Sequence, residues 1–171
     1  MAPARDNPFY PATIATVEGD FHAFYTANGL AELRFPAAWT AGKTNNLGEV
    51  PEPVQLWYRL TAVAVKAVLA GRGLPELPPL DLSRGTEFQR SVWAALRKIK
   101  LGQTQSYGEI AAAIGNPKAV RAVGGACGAN PIPLLVPCHR VLAANQKLGG
   151  FSGGLEWKRK LLAREGVETR G

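Results

Sequence analysis

A segment rich in proline and glycine, residues 71–80, divides this chain of 171 residues into two nearly equal halves. It contains three prolines and two glycines. Proline lacks the backbone N–H that a helix or a central strand needs, and glycine weakens both kinds of element. The segment therefore predicts a linker, with one domain over 1–80 that includes it and a second domain over 81–171.

The positive charge lies in the second half. The formal net charge of the chain is +7. Residues 1–80 hold six Lys/Arg and seven Asp/Glu, a net charge of −1, whereas residues 81–171 hold 14 and six, a net charge of +8. A one-sided basic excess attracts polyanions such as nucleic acids. A solvated basic face would give the same composition, so charge alone leaves both interpretations open.

Composition excludes several classes of protein. Two cysteines cannot build a disulfide scaffold or a four-thiolate zinc site. The longest unbroken apolar run, residues 131–138, is too short to span a bilayer, and residues 1–8 lack the apolar stretch of a secretion signal. We therefore expect a protein without a membrane partner, located in the cytoplasm, or in the nucleus if the source is eukaryotic.

The first half predicts an antiparallel sheet covered by a helix. Apolar residues recur with the helical period over 54–69, and residues 36–53 predict a long loop. Three runs rich in β-forming residues precede that loop, separated by two dipeptides that favour tight turns. The runs cover 12–18, 21–27 and 30–35, and the dipeptides are Gly19-Asp20 and Asn28-Gly29.

The second half predicts helices. The first would begin after Ser83 or Thr86 and run to about residue 99, and the second would begin after Ser106 and run to residue 114. A third would run from 117 or 118 to about 126. The second and third helices, joined by a turn with glycine, are typical of a helix-turn-helix, although many αα-hairpins without DNA share this pattern.

The predicted third helix carries almost only small residues, and Arg121 is its one long side chain. Each of two adjacent glycines, Gly124 and Gly125, lowers helix stability by roughly 1 kcal/mol relative to alanine. A close crossing with another helix would require small residues. A helix that presses against a wide, flat surface such as a DNA minor groove would require them too.

The segment 130–141 is the strongest candidate for a reactive site. Three prolines frame apolar residues that predict a short strand ending at Cys138. The neighbouring His139 and Arg140 would supply the positive charge that favours a thiolate, the nucleophilic form of cysteine. A buried, inert cysteine is the alternative. Adjacent side chains on a strand point to opposite faces, so Cys138 and His139 need not touch.

The run Pro-Cys-His-Arg-Val at 137–141 resembles the active-site signature of the O6-alkylguanine-DNA alkyltransferases, also called methylated-DNA–protein-cysteine methyltransferases. The likeness covers residues 81–167, whereas the first half is similar to the family's variable N-terminal domain in layout rather than in motifs. The matching motifs are Phe88-Gln89, Val92-Trp93, residues 102–111, residues 121–124, Asn130-Pro131, residues 152–155 and Lys158.

The resemblance implies an α+β fold. Its N-terminal domain would be ribonuclease-H-like, with a three-stranded antiparallel sheet and a covering helix. Its C-terminal domain would be mostly helical, with a winged-helix-like helix-turn-helix and the active-site loop.

The resemblance also implies DNA repair by direct reversal. A methyl or larger alkyl group would pass irreversibly from O6 of guanine in duplex DNA, and from O4 of thymine, to Cys138. The damaged base would be flipped out on the minor-groove side. Each chain would react once, without a cofactor. We expect a monomer, and cooperative binding along DNA stays open.

Five residues would carry the chemistry that the resemblance implies. Cys138 would accept the alkyl group, and His139 would act as the base through a water molecule. Glu165 would orient and polarise His139. Asn130 would brace the turn that holds the site, and Tyr107 would donate a hydrogen bond to guanine N3 and crowd the backbone phosphate.

Other residues would bind the substrate and DNA. Arg121 would fill the place that the flipped base leaves in the stack. The backbone N–H of Ser152 would approach O6, and the carbonyl groups of Cys138 and Val141 would read the guanine amine. Phe151, where the family often has tyrosine, would form an apolar pocket wall. The small residues that would let the third helix approach the groove are Ala119, Ala122 and Gly124.

The sequence departs from some relatives. It has no cysteine before Cys127 and only His22 in the first half, so the zinc site of those relatives is missing and we expect no metal. Gly128 replaces an arginine, and Cys127 is expected to pack rather than to accept alkyl groups. Exposed basic residues would offer phosphate contacts. The candidates are Arg90, Arg97, Lys98, Lys100 and Lys118.

Three other functions fit the sequence less well. Lesion-binding relatives without catalysis lack the acceptor cysteine, which Cys138 supplies here. A sequence-specific helix-turn-helix regulator should carry several base-reading side chains on its third helix, where only Arg121 stands. A cysteine–histidine hydrolase would need an oxyanion hole, of which the sequence shows no sign.

Overall fold

The computed structural model describes residues 9–36 and 47–170. The three predicted strands are confirmed. They form one antiparallel sheet in the order in which they occur in the chain. The two turns lie at residues 17–18 and 27–28, slightly before the predicted dipeptides, because Gly19 and Gly29 already pair in the strands that follow, with φ of 108° and 146°. The strands are β1 (Tyr10–Thr16), β2 (Gly19–Thr26) and β3 (Gly29–Arg34). Residues 37–46 of the predicted loop 36–53 lie outside the described residues.

The predicted covering helix is confirmed as α1 (Glu52–Leu69). Its apolar face packs on the sheet, where Val65 and Val68 are buried. Two hydrogen bonds attach it to the strands. The hydroxyl of Tyr25 donates to Oγ1 of Thr61 over 2.8 Å, and the hydroxyl of Tyr58 donates to the carbonyl of Thr13 over 3.0 Å.

The proline-rich linker is held against the edge of the sheet. The N–H of Leu30 donates to the carbonyl of Pro79 over 2.9 Å, and the N–H of Asp81 donates to the carbonyl of Leu30 over 2.8 Å. One continuous buried cluster includes apolar residues from both halves of the chain. The division into domains at residues 80 and 81 stays a prediction.

Four helices follow the linker. They are α2 (Glu87–Leu96), α3 (Tyr107–Ala113), α4 (Val120–Gly128) and α5 (Leu155–Arg164). Thr86, rather than Ser83, caps α2, and Ser106 caps α3, each through a reciprocal capping box. Helix α4 begins and ends about two residues later than predicted because Pro117 and Lys118 form a turn before it.

The predicted apolar strand before Cys138 is wrong. Residues 131–136 form turns, and Cys138–Arg140 is a short 3₁₀ helix. Three prolines in this segment remove the N–H groups that a strand would need for pairing. Leu134 adopts the left-handed conformation, with φ of 73°, which also breaks an extended run.

The α+β class predicted from the sequence is confirmed. The ribonuclease-H-like and winged-helix-like descriptions stay predictions. In the described ranges 9–36 and 47–170, no helix is long and apolar enough to cross a membrane.

Candidate active site

Asn130 fixes the turn that presents Cys138. Its amide nitrogen donates to the carbonyl of Val136 over 2.8 Å, and its side-chain oxygen accepts from the N–H of Ile132 over 3.0 Å. The N–H of Cys138 donates to the same Val136 carbonyl over 2.8 Å. Because Asn130 is 6% exposed, water competes little for these bonds. A tightly braced loop therefore takes the place of the expected strand.

Cys138 is a buried thiol. Its residue is 4% exposed, and burial raises the pKa of Cys138, against the opposing effects of the Asn130 hydrogen bond and the charge of Lys158. The expectation that His139 and Arg140 favour a resting thiolate is therefore wrong. The positive charge of Arg140 is directed at Glu165. A reaction at Cys138 consequently needs a base to take its proton.

Three charged or titratable side chains meet beside Cys138. Nε2 of His139 lies 3.0 Å from Oε1 of Glu165. Arg140 donates to both carboxylate oxygens of Glu165, over 2.9 Å from Nε and 2.8 Å from Nη2, and its Nη1 donates to the carbonyl of Ile99 over 2.8 Å. Burial alone would raise the pKa of Glu165, but hydrogen bonds from His139 and Arg140 outweigh it and lower that pKa to about 2.

His139 has the form of a neutral base. Its side chain is fully buried, and burial lowers the pKa of His139 although Glu165 opposes that shift. When Nε2 carries the proton that Glu165 accepts, Nδ1 has a free lone pair. Nδ1 is buried and has no hydrogen-bond partner among the described residues. It is the ring nitrogen that is available to receive a proton.

Tyr107 reaches the site through a short strand pair. Strand β4 (Gln105–Ser106) pairs in parallel with β5 (Val141–Leu142), which directly follows the 3₁₀ helix of Cys138. Helix α3 begins immediately after β4, at Tyr107. A Cβ atom at Gly149 would lie 2.8 Å from the Tyr107 hydroxyl, so the loop backbone packs closely against it. Burial raises the pKa of Tyr107, which keeps its hydroxyl a donor.

A cleft of about 800 Å³ opens in front of Cys138. It brings together five of the other residues predicted for catalysis or binding, which are Tyr107, Arg121, Gly124, Phe151 and Ser152. Asn130, His139 and Glu165 lie behind this surface and support it. Ala122 is exposed and Ala119 is half-buried, and neither lines the cleft. A groove of similar volume near Glu18 and Arg164 has no cysteine or histidine among its lining residues.

Lys158 is a functional candidate that residue-level reasoning missed and that only a family motif indicated. Its ammonium group is buried and donates to the carbonyls of Val141 over 2.7 Å, Gly150 over 3.0 Å and Leu148. Gly150 lines the cleft and Val141 directly follows the 3₁₀ helix of Cys138, so the lysine connects the loop at the cleft to the segment of Cys138. Burial lowers the pKa of Lys158 to about 8, which still leaves it mostly charged at pH 7.

The glycines of α4 do not serve a close helix crossing, whereas Ala126 is buried against α2. The indole Nε1 of Trp93 donates to the carbonyl of Ala126 over 2.9 Å and holds one face of α4 against α2. Arg121 is exposed. Three glycines have open space where a Cβ atom would stand, namely Gly124, Gly125 and Gly128. The structure therefore favours the alternative that this face meets an external surface.

The predicted phosphate contacts are accessible, since all five basic side chains are exposed. They are Arg90, Arg97, Lys98, Lys100 and Lys118. Within ranges 9–36 and 47–170, no group of three or more His, Cys, Asp or Glu side chains could hold a metal ion.

Residues 87–167 match the model of the 6-O-methylguanine DNA methyltransferase DNA-binding domain. The methylated-DNA–protein-cysteine methyltransferase of Methanosarcina acetivorans is 39% identical over 164 residues, which cover 94% of this chain and 95% of that protein. The chain belongs to the methylated-DNA–protein-cysteine methyltransferase family. The corresponding Methanosarcina mazei protein is 38% identical over 162 residues, covering 93% of this chain and 92% of its own.

Solved structures agree with this family assignment. The crystal structure of Mycobacterium tuberculosis OGT in complex with DNA has 40% sequence identity and a TM-score of 0.74, and the match covers 90% of each chain. The family and enzyme class predicted from the cysteine motif are therefore confirmed.

Proposed function

We propose that this methyltransferase repairs duplex DNA by moving a methyl or larger alkyl group from O6 of guanine to its own Cys138, once per chain. The observation that carries the proposal is the buried Cys138 at the cleft, followed in the chain by His139, whose buried ring lies 3.0 Å from the Glu165 carboxylate. The similar Mycobacterium tuberculosis OGT was crystallised in complex with DNA. The exposed basic residues suit the same partner.

The chemistry is an in-line displacement. The Cys138 proton passes through a water molecule to Nδ1 of His139, and Sγ attacks the alkyl carbon as its bond to O6 breaks. The electrons of that bond return to the guanine, whose developing charge Tyr107 stabilises by donating a hydrogen bond to N3. The product is a thioether, which water does not cleave readily, so each chain reacts once.

Base flipping brings the lesion to the thiol. O6 is inaccessible inside a stacked pair, and extrusion of a base costs a few kcal/mol. Arg121 would fill the vacated place, while Ala119, Ala122 and Gly124 let α4 approach the minor groove. Inside the pocket, Phe151 contacts the alkyl group and the N–H of Ser152 approaches O6.

The carbonyls of Cys138 and Val141 would accept hydrogen bonds from the guanine amine. The Val141 carbonyl already accepts from Lys158, but a carbonyl oxygen has two lone pairs. The proposal extends to O4-alkylthymine, which presents a similar alkylated oxygen. It also includes action as a monomer, with cooperative binding on DNA as an open extension, in the cytoplasm or in a eukaryotic nucleus.

The test is a transfer assay with intact-mass detection. Duplex DNA with a labelled methyl group on guanine O6 should move one equivalent of label to Cys138. Cys138→Ala should abolish transfer and retain lesion binding. Cys127→Ala is the matched control because burial raises the pKa of Cys127 to about 12, and it should retain one equivalent. Repeated turnover with label released into water would refute the single-reaction mechanism.

A further inference from the structure

The end of β3 meets the active-site half of the chain. The N–H of Leu33 donates to the carbonyl of Pro131 over 2.9 Å, next to the turn that Asn130 braces. Phe35 follows β3 directly and is 7% exposed. The backbone hydrogen bond therefore holds Phe35 in a defined position relative to the turn that presents Cys138.

The Phe35 ring supports the loop that forms one wall of the cleft. It makes an edge-to-face contact with Phe151, with ring centroids 5.6 Å apart. A Cβ atom at Gly153 would lie 2.6 Å from a carbon of the Phe35 ring, so the loop backbone rests directly on that ring. Phe35 thus touches the loop on both sides of Ser152.

Phe35 is itself held from behind. Its ring centroid lies 5.5 Å from that of Phe21 and 5.2 Å from that of Trp157. Phe21 is fully buried in β2, and Trp157 belongs to α5. Aromatic contacts of this kind stabilise a fixed arrangement beyond the burial of area. The ring therefore has little freedom to yield when the loop is pushed outward.

Phe151 and Ser152 line the cleft with Cys138, whereas Phe35 lies behind Phe151 and does not line it. We propose that Phe35 is a specificity-determining residue that sets the distance of the Phe151 wall from Cys138, and so the size of alkyl group that is accepted. This inference rests on the alkyl transfer proposed above. Through it, the variable first half of the chain selects the substrate of the second half.

The expected effect of Phe35→Leu follows from the space that it opens behind Phe151. Phe35→Leu leaves room into which Phe151 can tilt, which widens the pocket for a bulky group and loosens it around a methyl group. One methylene in an apolar pocket typically changes discrimination about tenfold or more. We therefore expect the ratio of the rate constants for benzyl and methyl transfer to rise about tenfold.

The experiment measures single-turnover transfer from one duplex sequence that carries O6-methylguanine or O6-benzylguanine. The wild type is compared with Phe35→Leu and with Phe24→Leu. Phe24 is a buried phenylalanine of the same sheet whose ring contacts Phe9 and Arg34. Phe24→Leu should leave the benzyl-to-methyl ratio unchanged, even if it lowers thermal stability.

A double variant separates positioning from general loosening. If Phe35 acts through Phe151, Phe35→Leu should change the benzyl-to-methyl ratio much less when Phe151 is already leucine. If the two substitutions acted independently, their effects on the benzyl-to-methyl ratio would multiply, and that result would overturn the inference. Phe35→Met, which keeps most of the volume, replaces Phe35→Leu if the leucine variant does not fold.

The outcomes are distinguishable. Failure of the wild type to transfer either group would refute the proposed function. The wild type could transfer both groups normally while a folded Phe35 variant keeps a benzyl-to-methyl ratio within about twofold of the wild-type ratio. That result would refute only the role of Phe35. Failure of both Phe35 variants to fold, when Phe24→Leu folds, would also refute that role because Phe35 would then be a stability element.

Discussion

Nε2 of His139 lies 3.0 Å from Oε1 of Glu165, although 26 residues separate the two in the chain. Both side chains are excluded from solvent, at 0% and 1% exposure. Glu165 stands at the end of α5, while His139 belongs to the 3₁₀ helix of Cys138. The contact fixes the orientation of the imidazole and leaves Nδ1 as the ring nitrogen without a hydrogen-bond partner among the described residues.

Glu165→Gln should destabilise the protein by about 3 kcal/mol at pH 7, because removing one partner of a buried ion pair leaves Arg140 without its counter-charge. Urea unfolding measures this free energy. Glu32→Gln is the control, since Glu32 pairs with Arg34 at the surface, where such pairs contribute about 1 kcal/mol or less. Equal losses in the two variants would contradict the structural role of Glu165.

The same substitution should change the pH dependence of stability. The pKa of Glu165 falls from 4.5 to about 2 on folding, so its contribution is fully present above pH 4.5 and is lost as the pH falls through 2. The difference in unfolding free energy between wild type and Glu165→Gln should therefore shrink by about 3 kcal/mol between pH 5 and 2. If the unfolding free energies of the wild type and Glu165→Gln changed with pH in parallel, the Glu165 carboxylate would not be preferentially ionised in the folded state.

The rate constant of alkyl transfer should begin to fall with decreasing pH only below pH 6.5. Burial lowers the pKa of His139 from its ordinary 6.5, so the neutral base persists in the folded protein as the pH falls to that value. Single-turnover rate constants should stay level from pH 8 to 6.5 and decline only below it. His139→Ala should be slower by about 100-fold or more at pH 7.5. A midpoint above 6.5 would argue against a neutral His139 as the base.

Arg121→Ala should impair repair of duplex DNA far more than reaction with free O6-benzylguanine. Only the duplex substrate requires a base to be extruded, at a cost of a few kcal/mol. We therefore expect the transfer rate to fall about tenfold or more on the duplex alone. Arg59→Ala, on the exposed surface of α1, is the control for loss of one positive charge. Equal losses on both substrates would contradict the stacking role of Arg121.

Lys158→Met should cost about 3 kcal/mol of stability, because buried carbonyl acceptors would lose their donor. Alkyl transfer should slow as well, since Lys158 connects Gly150, which lines the cleft, to Val141, which directly follows the 3₁₀ helix of Cys138. Thermal unfolding and single-turnover rates measure the two effects. Lys160→Met is the control, because Lys160 is partly exposed and pairs with Glu18 near the surface. Wild-type stability in Lys158→Met would refute the bracing role.

Local chemistry made much of the fold predictable. Gly19 and Gly29 indicated the two hairpins, although the turns lie just before them, and a threonine or serine with a partner three residues later set the starts of α2 and α3. Prediction failed before Cys138, where apolar residues suggested a strand. There the prolines and the side chain of Asn130 remove or satisfy the backbone groups that strand pairing would use.

The sequence by itself determined the family of this protein and the candidates for its chemistry: a cysteine in a recognisable family motif, a basic second half and a helix of small residues with one arginine. Only the tertiary structure decided the state of that cysteine. Burial raises the pKa of Cys138 and lowers that of His139, and the hydrogen bonds of His139 and Arg140 lower the pKa of Glu165, so these shifts follow from packing between residues distant in the chain. The contact of Phe35 with Phe151 is likewise a product of packing between residues far apart in the chain.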